Sequence, residues 1–156
     1  MIQVELEIAD KSHMDRLLPL VRAYHDFEQI VMSDEDRMKS LAALLNNPEL
    51  GRIWLICLAQ ATVGYIALCF GYSIEFGGRD AFIDEFFIDE ANRGRGIGRQ
   101  VLSMIQDKAA VFNVVALHLE VATDNVQAKR VYERAGFYSR QQYHLMSNFI
   151  SEKYRH

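Results

Sequence analysis

Asp84-Glu85-Phe86-Phe87-Ile88-Asp89-Glu90-Ala91-Asn92-Arg93-Gly94-Arg95-Gly96-Ile97-Gly98-Arg99 decides how this chain folds. Phe86-Phe87-Ile88, with Ala81-Phe82-Ile83 just before, is an aromatic and β-branched run suited to a strand in a covered sheet. A polar turn follows. From Ile97 the apolar residues recur at Val101, Ile105 and Ala109, flanked by Leu102 and Phe112, which is helical spacing. Gly94, Gly96 and Gly98 therefore sit where strand becomes helix. The first N–H groups of a helix lack intrahelical partners and lie at its positive end, so they favour an anion. Glycines let a ligand approach that backbone closely. Arg93, Arg95 and Arg99 add charge suited to phosphate. The stretch reads as an anion-binding turn, and the alternative is a flexible turn with solvated arginines.

The dinucleotide fingerprint needs Gly-x-Gly-x-x-Gly, and here Arg99 occupies its last position. A P-loop needs Gly-Lys-Ser/Thr, which does not occur. Arg93-Gly94-Arg95-Gly96-Ile97-Gly98 instead resembles the Arg/Gln-x-x-Gly-x-Gly signature of the GNAT superfamily of N-acetyltransferases. The resemblance implies that this turn holds the pyrophosphate of acetyl-CoA.

The rest of the chain is read outward from that turn. Its 156 residues suggest one domain over residues 1–156, with half of them apolar or aromatic and about a quarter charged. A net charge of −4 argues against nucleic acid or an anionic membrane as partner and favours a basic substrate. Cys57 and Cys69 lie in apolar runs and are expected to be buried, inert thiols. The histidines form no metal-ligand spacing, no apolar run is long enough to span a membrane, and the N-terminus does not resemble a signal peptide. A cytoplasmic protein without metal is expected.

Alternation of Ile2, Val4, Leu6 and Ile8 predicts a strand over residues 2–8. Ser12 is expected to cap a helix carrying Leu17, Leu18, Val21 and Tyr24, which Pro19 should kink or split. A second helix should run from Ser33 or Asp34 to Leu45, with Met38, Leu41, Leu44 and Leu45 inward. Its acidic start, Asp34-Glu35-Asp36, suits a helix N-terminus or, with Glu28, the attraction of a cation. Strands at 51–59 and 62–72 should form a hairpin about Gln60-Ala61, with Trp54 in the core and both sheet faces covered. A third antiparallel strand is expected at 81–88, and a strand at 114–121 should lie parallel to it, since a helix joins them. A short helix over 126–134, stopped by Gly136, and one or two strands over 137–146 complete an α/β domain with a mixed, mostly antiparallel sheet.

That order is similar to the GNAT fold, which implies helices on both faces and a parallel strand pair at the cofactor cleft. Asn125-x-x-Ala128-x-x-Val131-Tyr132-Glu133-x-x-Gly136-Phe137 resembles the family's later motif. There an Asn contacts acetyl-CoA and a Tyr stands near the thioester sulfur, roles that would fall to Asn125 and Tyr132. Together with Asp84-Glu85-Phe86-Phe87-Ile88, the match is closest to the diamine and thialysine acetyltransferase branch over about residues 80–148. Val126-Gln127 departs from the Glu-Pro common in the diamine enzymes. Homodimers are usual in such enzymes.

An amine attacks a thioester only when neutral, yet an alkyl ammonium has a pKa of ~10.4. Asp84 or Glu85 is expected to take the proton, directly or through water, and strand alternation should place only one of them in the cleft. The family resemblance leans to Asp84. Backbone N–H groups of Phe86, Phe87 and Ile88 are expected to stabilise the oxyanion, and Tyr132 to protonate the departing thiolate. The expected function is acetyl transfer to a small cationic amine or polyamine, or to a protein amino group. The alternative is a CoA-binding sensor without turnover.

Overall fold

The computed structural model describes residues 2–154. In chain order it contains β1 (Glu5–Ile8), α1 (Met14–Phe27), α2 (Asp34–Leu45), β2 (Gly51–Leu58), β3 (Ala61–Ser73), β4 (Gly78–Ile88), α3 (Ile97–Val111), β5 (Val114–His118) and α4 (Val126–Arg134). The five strands form one sheet in the order β1-β2-β3-β4-β5, antiparallel throughout except for the parallel β4–β5 pair. This is the α/β architecture read from the sequence.

Helices cover both faces, which is why the strands are almost continuously apolar. On one face Trp54, Ile56, Ile66, Leu68, Ala81 and Ile83 meet Ile97, Val101, Leu102, Ile105 and Ala109 of α3. On the other, Ile53, Leu55, Tyr65, Ala67 and Phe87 meet Leu17 and Val21 of α1 and Leu41 of α2. Each fully buried Leu or Ile contributes about 1.5–3 kcal/mol. The helical stripe from Ile97 to Ala109 is thus what seats the glycine turn against the sheet.

Several boundaries differ from the sequence expectation. The β1 strand begins at Glu5 rather than Ile2. The first helical cap is Asp10, whose carboxylate accepts from Ser12 N–H while His13 closes back on Asp10; Ser12 is not the cap. The α1 helix runs unbroken through Pro19. Pro19 and Asp15, whose carbonyl it leaves without its helical partner, are both exposed residues, while Leu17 and Val21 hold the helix on the sheet. Met38 is exposed, and its place in the inward stripe of α2 is taken by Arg37 and Leu41. The β2–β3 turn is Ala59-Gln60, both at positive φ (45° and 72°), one residue earlier than Gln60-Ala61. Such a two-residue turn matches the twist of the strands it joins.

The largest difference is after α4. Residues 137–150 form no strand, although one or two were expected over 137–146. A strand needs a partner edge, and a cavity of about 800 Å³ lies between this segment and β5. Tyr138, Tyr143, Leu145 and Met146 remain exposed. The β5 strand itself stops at His118 instead of Val121.

Candidate active site

A β-bulge at Asp84 shapes the cleft. Ala67 opposes Glu85 and Leu68 opposes Ile83, so Asp84 has no partner on β3. The parity of β4 changes there. Ala81 and Ile83 pack beneath α3, and beyond the bulge it is Phe86 and Ile88 that do so, while Phe87 joins the opposite core. Simple alternation would have put Asp84 and Glu85 on opposite faces. The bulge instead leaves both towards α1: Glu85 bonds to His25 and Tyr65, and Asp84 shares the cleft lining with Tyr24 and Glu28.

Beyond the bulge β4 has a free edge. The parallel register with β5 covers only Arg79 to Phe82, so the two strands part at the bulge. Asp89 N–H donates to Val63 C=O at 2.8 Å, which fixes the ladder phase. With Phe87 opposite Tyr65, odd-numbered residues bond to β3 and the N–H groups of Phe86 and Ile88 face the open edge. Arg93 Nε takes the Ile88 carbonyl on that edge at 2.8 Å. The opening is a cleft of about 1140 Å³, lined among others by Tyr24, Glu28, Asp84, Phe86, Ile88, Gly96, Gly98, Arg99, Asn125 and Tyr132.

One end of the cleft suits an anion. Gly94 and Gly96 have φ of 74° and 79°, and a Cβ on either would meet nothing within 4 Å. The left-handed backbone explains these two glycines. Gly98 has ordinary helical geometry, and its hypothetical Cβ would touch Ile88 and Phe86 at 3.7 and 3.9 Å. The first-turn N–H groups of the 15-residue helix α3 open towards this space, with Arg99 exposed beside them. The expected trio of arginines is divided by the fold. Arg93 is tied to Ile88 and its guanidinium lies 5.0 and 5.2 Å from the Phe27 and Phe87 rings. Arg95 donates to Asn92 at 2.7 Å and does not line the cleft. Asn125 lines it and also caps α4, accepting from Ala128 N–H at 3.1 Å. Gly94, Ile97 and Phe87 complete the lining from the turn and the strand.

The lining also carries acidic and phenolic groups, with Gln127 and Arg134 beside them. Asp84, Glu28 and Glu120 are exposed into it. The surrounding protein strips water from Asp84 and pushes its carboxyl above the usual range. Burial, reinforced by Glu28, likewise pushes the Tyr132 phenol up, so it keeps its proton at neutral pH. Tyr132 is half-buried and meets Phe137 edge-on at 6.1 Å. By contrast Asp34, Glu35 and Asp36 do not line the cleft. They pair with Arg22 and Arg37, with Lys39, and with Lys153 respectively. Cys57 and Cys69 are pushed up by burial, Cys69 to about 11, which agrees with inert thiols.

Glu85 differs from Asp84. Its Oε1 accepts from Tyr65 OH at 2.9 Å and its Oε2 lies 2.8 Å from His25 Nε2. Neither His25 nor Arg37, which bonds to it, was singled out from the sequence. A signal existed: Leu17, Val21 and His25, like Arg37 and Leu41, recur at four-residue spacing on buried helix stripes. A polar residue at a core position marks a partner elsewhere.

Among the described residues no group of three or more His, Cys, Asp or Glu is placed to hold a metal ion, and no helix is long and apolar enough to cross a membrane. The residues that line the cleft fit a phosphate-bearing acyl donor: an open glycine turn, a helix start and Arg99.

The acetyltransferase (GNAT) family model matches residues 16–137. Spermine/spermidine N(1)-acetyltransferase of Bacillus subtilis (strain 168) is 37% identical over 57 residues, which are 36% of this chain and 38% of that protein. The match thus spans little more than a third of the length of this curated relative. Among solved structures, the integron cassette protein HFX_CASS3 from the mobile metagenome of Cole Harbour Salt Marsh superposes with a TM-score of 0.83 at 30% identity, covering 94% of this chain and 90% of that one. A predicted acetyltransferase from Clostridium acetobutylicum, solved with acetyl-CoA, shares the fold with a TM-score of 0.74 at 18% identity, covering 93% of this chain and 96% of that one.

Proposed function

Because the chain belongs to the GNAT acetyltransferase family, we propose that it moves an acetyl group directly from acetyl-CoA to a primary amine, with a small cationic amine or polyamine as acceptor. The observation that carries this reading is that one cleft holds both an anion-suited helix start and free carboxylates. An open helix start with Arg99 lies in the same lining as the exposed carboxylates Glu28, Asp84 and Glu120. The curated relative that acts on spermine and spermidine supports a polyamine, through a partial match.

Acetyl-CoA, when bound, supplies an activated acetyl thioester. The α3 N-terminus, the glycine turn and Arg99 hold its phosphates, and Asn125 contacts it from the start of α4. Glu28 and Glu120 concentrate the ammonium form of the acceptor by charge, and Asp84 removes its proton. Asp84 suits this role because desolvation lifts its proton affinity while leaving it in the cleft. The edge N–H groups of Phe86 and Ile88 stabilise negative charge developing on the acetyl oxygen. Tyr132 then gives its proton to the leaving sulfur, whose thiol resembles a cysteine of pKa about 8.5.

The test follows free-thiol release from acetyl-CoA across polyamines, diamines, aminoglycosides and peptides. Turnover with a polyamine, with kcat/KM falling as ionic strength rises, is the expected result. Acetyl-CoA binding without thiol release for any acceptor would instead favour a CoA-binding sensor. Tyr132→Phe is expected to lower kcat by about 10²- to 10⁴-fold with acetyl-CoA affinity preserved. Wild-type turnover in that variant would make Tyr132 a packing residue.

A further inference from the structure

His25 and Arg37 are the buried polar side chains among the described residues, at 5% and 6% exposure, and the transfer chemistry uses neither. They are consecutive links in one chain of hydrogen bonds. Arg37 Nη1 donates to Asp34 at 2.7 Å and Arg37 Nε to His25 Nδ1 at 3.1 Å. Beyond the imidazole come Glu85 and then Tyr65. A guanidinium N–H has no acceptor capacity, so His25 Nδ1 must accept. The neutral imidazole therefore carries its proton on Nε2 and donates it to Glu85. Both Glu85 oxygens are then engaged by donors, one from α1 and one from β3.

The chain of bonds joins α2, α1, β4 and β3 at the bulge. His25 lies in the last turns of α1, between Tyr24 on one side and Phe27 and Glu28 on the other, all three of which line the cleft. Its partner Glu85 is the neighbour of Asp84. We propose that His25, oriented by Arg37 and bonded to Glu85, is a positioning residue that fixes the acceptor wall of α1 against the bulge carrying Asp84. Glu85 then serves placement of the amine, and proton removal falls to Asp84. This inference rests on the acetyltransferase reading. A shift of about 1 Å in that wall is enough to cost about 10²-fold in rate.

His25→Gln keeps one acceptor and one donor, whereas His25→Leu fills similar space with neither. With spermidine as acceptor, His25→Leu is expected to lower kcat/KM about 10- to 100-fold, mainly by raising the amine KM. His25→Gln should restore it to within about fivefold, and calorimetry should give unchanged acetyl-CoA affinity for both. Wild-type amine kinetics in His25→Leu, or equal loss of acetyl-CoA binding, would overturn the proposal. Nitrogen-15 NMR of the wild-type chain tests the arrangement even if His25→Leu fails to fold. The expected form is the Nε2–H tautomer at neutral pH, and an Nδ1–H tautomer or an imidazolium would overturn it. If no amine releases thiol, the acetyltransferase reading fails by itself. Faster amide exchange in the last turn of α1 in His25→Gln and His25→Leu alike would then deny the bond chain its positioning strength, whereas faster exchange in His25→Leu alone would uphold it.

Discussion

Gly98→Glu is expected to weaken acetyl-CoA binding by about 100-fold or more while leaving the fold slightly more stable. The two effects run in opposite directions because Gly98 sits in the first turn of α3 with ordinary helical φ, and its added Cβ would make only van der Waals contacts with Ile88 and Phe86. Replacing a helical glycine gains about 0.5–1 kcal/mol, and a carboxylate near a helix N-terminus adds about 0.3–1 kcal/mol. That same carboxylate would occupy the anion end of the cleft and repel phosphate. Gly96 is a poorer test: its φ of 79° would strain any side chain, at about 1–2 kcal/mol. Calorimetry with acetyl-CoA and thermal unfolding of the same sample decide the matter. Unchanged affinity in Gly98→Glu would remove the phosphate site from this turn.

Asp84→Asn is expected to reduce turnover by about 10²- to 10⁴-fold, the scale for loss of a general base. Stability should move the other way. Burial raises the Asp84 carboxyl above its ordinary value, so the folded chain holds that proton more tightly than the unfolded chain does. Between the unfolded and folded values the native state binds more protons, and its stability falls as pH rises through that window. Asn cannot ionise and removes this loss, so the variant should unfold at a higher temperature than wild type at neutral pH and lose that advantage below the ordinary carboxylate range. In the pH–rate profile of the wild type, kcat/KM for the amine should rise through the Asp84 ionisation. Glu85→Gln should keep that acidic limb, and Asp84→Asn should lack it. An acidic limb that survives in Asp84→Asn would assign the proton transfer elsewhere.

Much of the fold and the geometry of the glycine turn was legible because the signals are local. The strand, the polar turn and the 3.6-residue stripe from Ile97 to Ala109 lie in one continuous run, so the open helix start needs no distant residue. Covered strands, the start of α2 at Ser33 or Asp34, the parallel β4–β5 pair and buried Trp54 likewise follow from pattern and connection. Pro19 misled because its effect depends on whether its turn faces water, and residues 137–146 misled because aromatic and apolar residues cannot by themselves supply a partner edge.

The acceptor end belongs to tertiary structure. Nothing in Asp84-Glu85 shows a bulge, since a bulge is a mismatch of register with β3. Nor does Asp34-Glu35-Asp36 show that each carboxylate is taken up by a cation. His25 and Glu85 are 60 residues apart and become partners only when α1 packs on the sheet. By itself the sequence determined most of the apolar core and where a glycine turn opens a helix start, because periodicity and backbone preference act over a few residues. Tertiary structure decided which carboxylate faces the cleft and which is held, because hydrogen-bond register and buried charge pairing are set by segments remote in the chain.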